Sequence, residues 1–156
     1  MTTLQAAAPV DLKTLPGLEA MRALVDGRAP PPSIRQTLGF TLTHVEEGVA
    51  VFEGRTSDRI LNPLGIVHGG WALTLLDSCT GCAAHTLLPA GVGYTTIETK
   101  GNFTRAIAAD TGLVRAEGRV VAHGRTIITA EGRITDARGK LLAHGTSTLM
   151  VLRKDT

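Results

Sequence analysis

Aromatic side chains are scarce in this 156-residue chain: Phe40, Phe52, Trp71, Tyr94 and Phe103 make up 3 % of it. Base stacking on single-stranded nucleic acid needs aromatic platforms set among basic residues, and these are too few. A large excess of one charge is also missing. The 16 Lys+Arg against 14 Asp+Glu leave a net charge of +2, so no basic footprint points to DNA. Cysteine occurs only at Cys79 and Cys82, which excludes a disulfide framework. The start, MTTLQAAAPVDLKTLPGLEAM, has no basic opening and no long apolar run, and it carries Asp11, a poor match to a secretory signal. The longest apolar stretch, Trp71 to Ala90, approaches membrane-spanning length. It holds Asp77 near its middle, which would be costly in lipid. A buried helix fits better, no membrane partner is expected, and a cytoplasmic location is.

What is present is an ordinary globular composition, 43 % hydrophobic and 19 % charged, at a length suited to one domain. Charge is uneven along it. Residues 1–99 carry a balance of −3 and residues 100–156 a balance of +5. The basic C-terminal third suits an anionic small molecule, although solvated strand faces account for it equally simply.

Residues 16–27 place Leu18, Met21, Leu24 and Val25 on one face between Pro16 and Gly27, which predicts a short amphipathic helix. Pro30-Pro31-Pro32 cannot continue it. Residues 1–32 therefore read as an N-terminal helical appendage and 33–156 as the main domain. From 38 to 56 two alternating runs flank Glu46-Glu47-Gly48, a hairpin signal. A loop-like segment, 57–67, leads into a helix over about 69–87 that is apolar nearly all round, the pattern of a helix inside a core. Strands are predicted at 94–104, 112–122, 125–136 and 140–152, separated by turn residues. In 125–135 the face Thr126, Ile128, Ala130, Gly132, Ile134 alternates with a wetter one, which indicates an antiparallel sheet. The fold class is α+β, an antiparallel sheet wrapped around one long central helix.

The chemistry-bearing stretch is Asn62-Pro-Leu-Gly-Ile-Val-His68-Gly69-Gly70, with Asp77 nine positions after the histidine. A helix N-terminus leaves backbone N–H groups unpaired and carries partial positive charge. Two glycines there let an acyl oxygen approach those donors, an arrangement suited to a carbonyl that becomes negative in a transition state. Asp77 on an apolar helix needs a partner or a task. Taken singly, each residue has a plainer reading: Gly69-Gly70 as a helix start, Asn62 as a turn former, His68 as a cap, and Asp77 bonded to a neighbouring hydroxyl.

The stretch NPLGIVHGGWALTLLD, with TTIETKGNFTR and GKLLAHGT further on, resembles the phenylacetate-degradation and 4-hydroxybenzoyl-CoA branches of the hotdog-fold thioesterase family over about residues 38–152. The resemblance implies an acyl-CoA thioesterase that releases a carboxylic acid and free coenzyme A without metal or cofactor. It assigns the Gly69 amide to polarising the thioester carbonyl, with Gly70 beside it. Asn62 lies at the same carbonyl or a nearby water, and His68 supports the loop. Asp77 acts from the facing subunit, as general base or as nucleophile. A hydroxyl on the following strand holds the water; Thr96 is the match by position and Thr95 the reserve. Arg125 and Arg105 are the candidates for the nucleotide part of coenzyme A. Three departures accompany the match: Asp77 stands where many relatives have Glu, Gly81 where some have a water-binding Thr, and Phe103-Thr-Arg-Ala lacks the Pro that often follows the strand's Phe. In that family two sheets join edge to edge, which implies a homodimer assembling to a homotetramer.

Cys79-Thr-Gly-Cys82 followed by His85 superficially suggests redox or metal chemistry. It lies well inside the helix, however, where the N-terminal field that activates a thiol is absent, and three ligands on one helix make an awkward tetrahedral set. Small buried side chains are the simpler reading. His44, His123 and His144 fall on strands or turns and are read as structural. A non-catalytic acyl-CoA-binding module is the competing function. Hydratase chemistry ranks last because no suitably spaced Asp/His pair is present.

Overall fold

Pro16 and Pro32 each precede a helix, where a residue without an N–H costs nothing. In the computed structural model, which describes residues 10–153, a 3-10 turn (Leu12–Thr14) leads to α1 (Gly17–Val25) and α2 (Ser33–Leu38). The hairpin β1 (Phe40–Glu46) and β2 (Val49–Arg55) follows, then a second 3-10 turn (Asp58–Ile60) and the long helix α3 (Gly69–His85). Strands β3 (Gly93–Phe103), β4 (Leu113–His123), β5 (Ile127–Asp136) and β6 (Leu141–Leu152) complete the chain. Helix α2 is an addition to the sequence reading. Its six residues are too short to show a period, and Gly39, at φ +69°, ends it.

The six strands form one antiparallel sheet in the order β1-β2-β4-β5-β6-β3. Helix α3 packs across it and touches every strand. This is the expected α+β arrangement of a sheet wrapped on one central helix. What permits the close seating is a row of four glycines in register: Gly118 faces Gly132, Gly132 faces Gly145, and Gly145 faces Gly101. A Cβ on Gly118 would collide with the Cys79 carbonyl, and one on Gly132 would stand 3.0 Å from Leu76 and 3.2 Å from the Cys79 sulfur. The helix backbone thus rests where side chains would otherwise keep it away from the sheet.

The core follows from this contact. Leu75, Leu76 and Cys79 of α3 are buried with Phe40, Phe52, Val114, Ala116, Ile134 and Ala143. Trp71 is buried on the same helix, against Gly54 of β2, and its Nε1 donates to the Leu38 carbonyl at 2.8 Å, tying α2 to α3. The N-terminal helix is seated on this body. Ala20 and Met21 pack with Val45, Ala50 and Ala83, and the Gly17 N–H donates to the Leu88 carbonyl at 2.8 Å. Strands β1 and β3 are the sheet edges, and β3 leaves Ile97 57 % exposed.

Replacing Gly118 by Ala is expected to destabilise the fold by about 2–3 kcal/mol in a denaturant titration, because helix backbone blocks the new methyl. Gly93→Ala, where a Cβ meets nothing within 4 Å, serves as the control and should change stability by less than about 0.5 kcal/mol.

Candidate functional site

Helix α3 begins in a loop held by its own polar groups. Asn62 Oδ1 accepts from the Leu64 N–H at 2.9 Å and the Ile66 N–H at 3.3 Å, and the Gly65 N–H closes a turn onto the Asn62 carbonyl at 2.9 Å. This is the turn-forming role that Asn before Pro predicts, and it leaves the side-chain NH2 without a protein partner among the described residues. The chain then pairs Leu61 with Val67 and delivers His68 as N-cap. His68 Nδ1 accepts from the Gly70 N–H at 2.9 Å, and the Trp71 N–H bonds the His68 carbonyl at 3.0 Å. In the neutral imidazole the proton therefore sits on Nε2. Two of the first-turn donors are thus satisfied. The Gly69 N–H has no acceptor among the described residues. It lines a cavity of about 390 Å³ with Asn62, Ala72, Phe103, Arg105 and Ile107.

Asp77 lies eight residues along the same helix from Gly69, a rise of about 12 Å and a turn of about 80°. Its Oδ1 accepts from the Thr99 hydroxyl at 3.0 Å. Thr99 was not among the residues read from the sequence, and the reason is a β-bulge. The register of β3 against β6 shifts between Thr96 and Glu98, so the side-chain alternation changes parity there. Before the bulge Tyr94 and Thr96 face the helix; beyond it the helix-facing set is Thr99 and Gly101. Strict alternation from Thr96 puts Glu98 and Lys100 inward instead, and nothing in the local sequence marks the insertion.

Asp77 borders two spaces. An open hollow of about 330 Å³ is lined by Leu73, Thr74, Asp77, Thr96, Glu98 and Thr99. A cavity of about 210 Å³ runs from Asp77, Ser78 and Cys82 between Phe40, Leu42, Phe52 and Tyr94 to Leu24, Pro32 and Ile34 of the N-terminal segment. The structure accordingly brings together Asn62, Gly69 and Arg105 in one place, and Asp77 with Thr96 in another. Gly70 is exposed next to the first group, and Thr95 is exposed on the outward face of β3. Arg125 is exposed in the turn between β4 and β5 and borders none of these cavities.

The sequence model of the thioesterase superfamily matches residues 64–143, the span from the α3 loop into β6. The chain belongs to that superfamily. It is a thioester hydrolase, and its sheet and helix are the hotdog fold. Among its relatives is the 1,4-dihydroxy-2-naphthoyl-CoA hydrolase of Listeria monocytogenes, 28 % identical over 122 residues that cover 78 % of this chain and 97 % of the relative. A protein of Saccharolobus solfataricus named as an esterase is 32 % identical over 116 residues, 74 % of this chain and 81 % of that one. Among solved structures, a phenylacetic acid degradation-related protein of Ralstonia eutropha superposes with a TM-score of 0.76 at 30 % identity, covering 83 % of this chain and 98 % of that one.

Of the cysteines of this thioesterase, Cys79 is buried in the core and Cys82 is half-buried at the cavity beside Asp77. Burial pushes the Cys79 thiol far up, aided by its neighbour Cys82, and raises Cys82 to about 12, with the Asp77 charge adding to the effect. Thiols so disposed are protonated and poor nucleophiles. Among the described residues no group of three or more His, Cys, Asp or Glu is placed to hold a metal, and no helix is long and apolar enough to cross a membrane. His85 lies against the Tyr94 ring, with centroids 5.7 Å apart, and burial lowers its pKa.

Because His85 binds its proton less readily in the folded than in the unfolded chain, its contribution to stability is full above about pH 6.5 and is lost as pH falls below it. Thermal melts between pH 7.5 and 5 should show a decline that is shallower in His85→Gln than in the parent.

Proposed function

We propose that the chain hydrolyses acyl-CoA thioesters at a site shared between two copies. The observation that carries this reading is the placement of two complementary groups on α3: a free amide at Gly69 and an anchored carboxylate at Asp77, about 12 Å apart along the axis. A water attacking a carbonyl must stand about 3 Å from it. One chain therefore cannot bring its own Asp77 to a carbonyl held by its own Gly69, whereas a second copy joined at the open β3 edge can supply the carboxylate.

In this scheme the Gly69 N–H and the Asn62 NH2 donate to the thioester oxygen as it becomes negative, the stabilisation that contributes most in acyl transfer. The partner's Asp77 takes a proton from water as the oxygen of that water bonds to the carbonyl carbon. Collapse of the tetrahedral intermediate breaks the C–S bond, and the coenzyme A thiolate leaves with the proton held by the carboxyl. In the nucleophilic variant, the Asp77 carboxylate bonds to the carbonyl carbon and the C–S bond breaks to release the coenzyme A thiolate. Water then opens the resulting acyl anhydride to the free acid and the Asp77 carboxylate, its spare proton going to the thiolate. His68 acts indirectly by fixing the first turn of α3. The acyl group enters the cavity lined by Asp77 and the N-terminal segment. Arg105, beside the Gly69 cavity, is the first candidate for the phosphates of coenzyme A, with Arg125, away from these cavities, the second. Thr96, in the hollow beside Asp77, is the hydroxyl available to the attacking water. Two such dimers form the tetramer, and the cytoplasm is the proposed compartment.

A thiol-release assay over aryl, short, medium and long acyl-CoAs tests the proposal, with aryl thioesters included because the Listeria relative is named for one. Turnover of at least one class is expected. Saturable binding without turnover would overturn the reading in favour of a non-catalytic binding module. Asp77→Asn should lower kcat by about a thousandfold. Asn62→Asp keeps the acceptor that holds the loop but replaces the donor by a charge, so it should retain the parent Tm while losing about a hundredfold in kcat/KM. Sedimentation at micromolar concentration should find no monomer.

A further inference from the structure

Behind Asp77 lies a chain of hydroxyls that the hydrolytic scheme leaves without a task. Thr99 Oγ1, the donor to Asp77, is 3.0 Å from Ser147 Oγ, and Ser147 Oγ is 2.7 Å from Thr80 Oγ1. The residues come from three elements: Thr99 from β3, Ser147 opposite it in register on β6, and Thr80 from α3. Ser147 is 2 % exposed and Thr80 is fully buried. Alanine and valine would fill these places without needing partners, so the polar choice calls for an account.

Counting protons supplies one. Each hydroxyl has a single proton to give. Thr80 gives its own to backbone carbonyls of α3, Leu76 at 2.8 Å and Asp77 at 3.1 Å. Thr80 Oγ1 is therefore an acceptor toward Ser147. Thr99 gives its proton to the carboxylate, so Thr99 Oγ1 is an acceptor toward Ser147 too. Ser147 has one proton for these two acceptors and shares it between Thr80 at 2.7 Å and Thr99 at 3.0 Å, so that the Thr99 proton stays with Asp77 whenever Ser147 donates to Thr99. The serine holds the Thr99 hydroxyl at the one rotation that aims it at Oδ1, and its donation makes that hydroxyl a better donor. Asp77 Oδ2 has no protein partner among the described residues, which leaves it for water.

We propose that Ser147 is a positioning residue for Asp77, acting through Thr99 to fix one carboxylate oxygen and leave the other free to react. The proposal rests on Asp77 being the reacting carboxylate. Titratable groups around Asp77 are Glu98, which lines the same hollow, Cys79 and Cys82 on α3, and Tyr94 from β3. None of them lies in the hydroxyl chain.

The test is a double-mutant cycle of Ser147→Ala and Thr99→Val, with Thr99→Ser as the conservative variant, read in two ways. The first reading is steady-state kinetics against pH on an acyl-CoA the parent turns over. The second is the titration of Asp77 by carbon NMR, which needs no turnover. Ser147→Ala should lower kcat by about tenfold with KM little changed. Its acid limb and its Asp77 carbon resonance should both respond at higher pH than in the parent, because the Thr99 donor to the carboxylate is no longer held in place. Thr99→Val should do the same more strongly, Thr99→Ser should restore most of the loss, and Ser147→Ala should add nothing in a Thr99→Val background. Should Ser147→Ala prove too unstable to study, Thr99→Val against Thr99→Ser carries the titration. Additive effects, a lowered Tm with an unmoved Asp77 titration, or equal behaviour of Thr99→Ser and Thr99→Val would overturn the proposal. An Asp77→Asn variant as active as the parent would instead sink the hydrolytic reading, while the NMR titration would still judge the hydroxyl chain.

Discussion

The contact on which the rest of the structure depends is the seating of α3 on four aligned glycines. Four glycines in register let the backbone of α3 rest against β4 at Gly118 and its Leu73, Leu76, Cys79 and Thr80 side chains lie close over β5, β6 and β3. Closeness of this kind has two consequences. It buries Leu76 and Cys79 against the glycines of the sheet, in the close contact that interior packing calls for. It also brings short side chains on α3 within hydrogen-bond reach of short side chains on the strands. Thr80, Ser147 and Thr99 meet only because helix and sheet are this near.

The same seating sets where the reactive groups stand. Because α3 is rigid and pinned along its length, the Gly69 amide and the Asp77 carboxylate keep a fixed separation. His68 caps the first turn from within, and Asn62 holds the preceding loop by accepting its backbone N–H groups at Oδ1. The donor at the helix start is left over after these local demands are met. Asp77 is held by a different strand of the sheet, at an edge that is open to a second copy. The distance between the Gly69 amide and the Asp77 carboxylate within one chain is the physical basis on which a shared site is proposed.

Much of this was legible in the residues. The hairpin around Glu46-Glu47-Gly48, the later strands and the apolar helix after Gly69-Gly70 all announce themselves by period and by turn residues. The placement of Asn62, His68 and Gly69 at the start of α3, with Asp77 further along it, was readable because three of the four lie in one loop and the fourth at a fixed helical offset. What escaped was set by contacts distant in sequence. Thr99 is hidden by a bulge at Ile97, since a parity change has no composition of its own. Ser147 sits on the last strand, some seventy positions from Asp77, and alternation alone assigns it to the buried face without naming its partner. The N-terminal helix read as an appendage behind three prolines, and the sequence could not show that Gly17 fits under the end of α3 because it lacks a side chain.

Sequence by itself determined the elements, the fold class and the residues from which a carbonyl site can be made, because these follow from local periodicity, capping and turn chemistry. Tertiary structure alone decided which hydroxyl bonds Asp77, how the N-terminal segment closes the cavity beside it, and that Gly69 and Asp77 of one chain stand too far apart to act together. Those outcomes depend on register and approach between strands and helix, which are set by packing across the whole sheet.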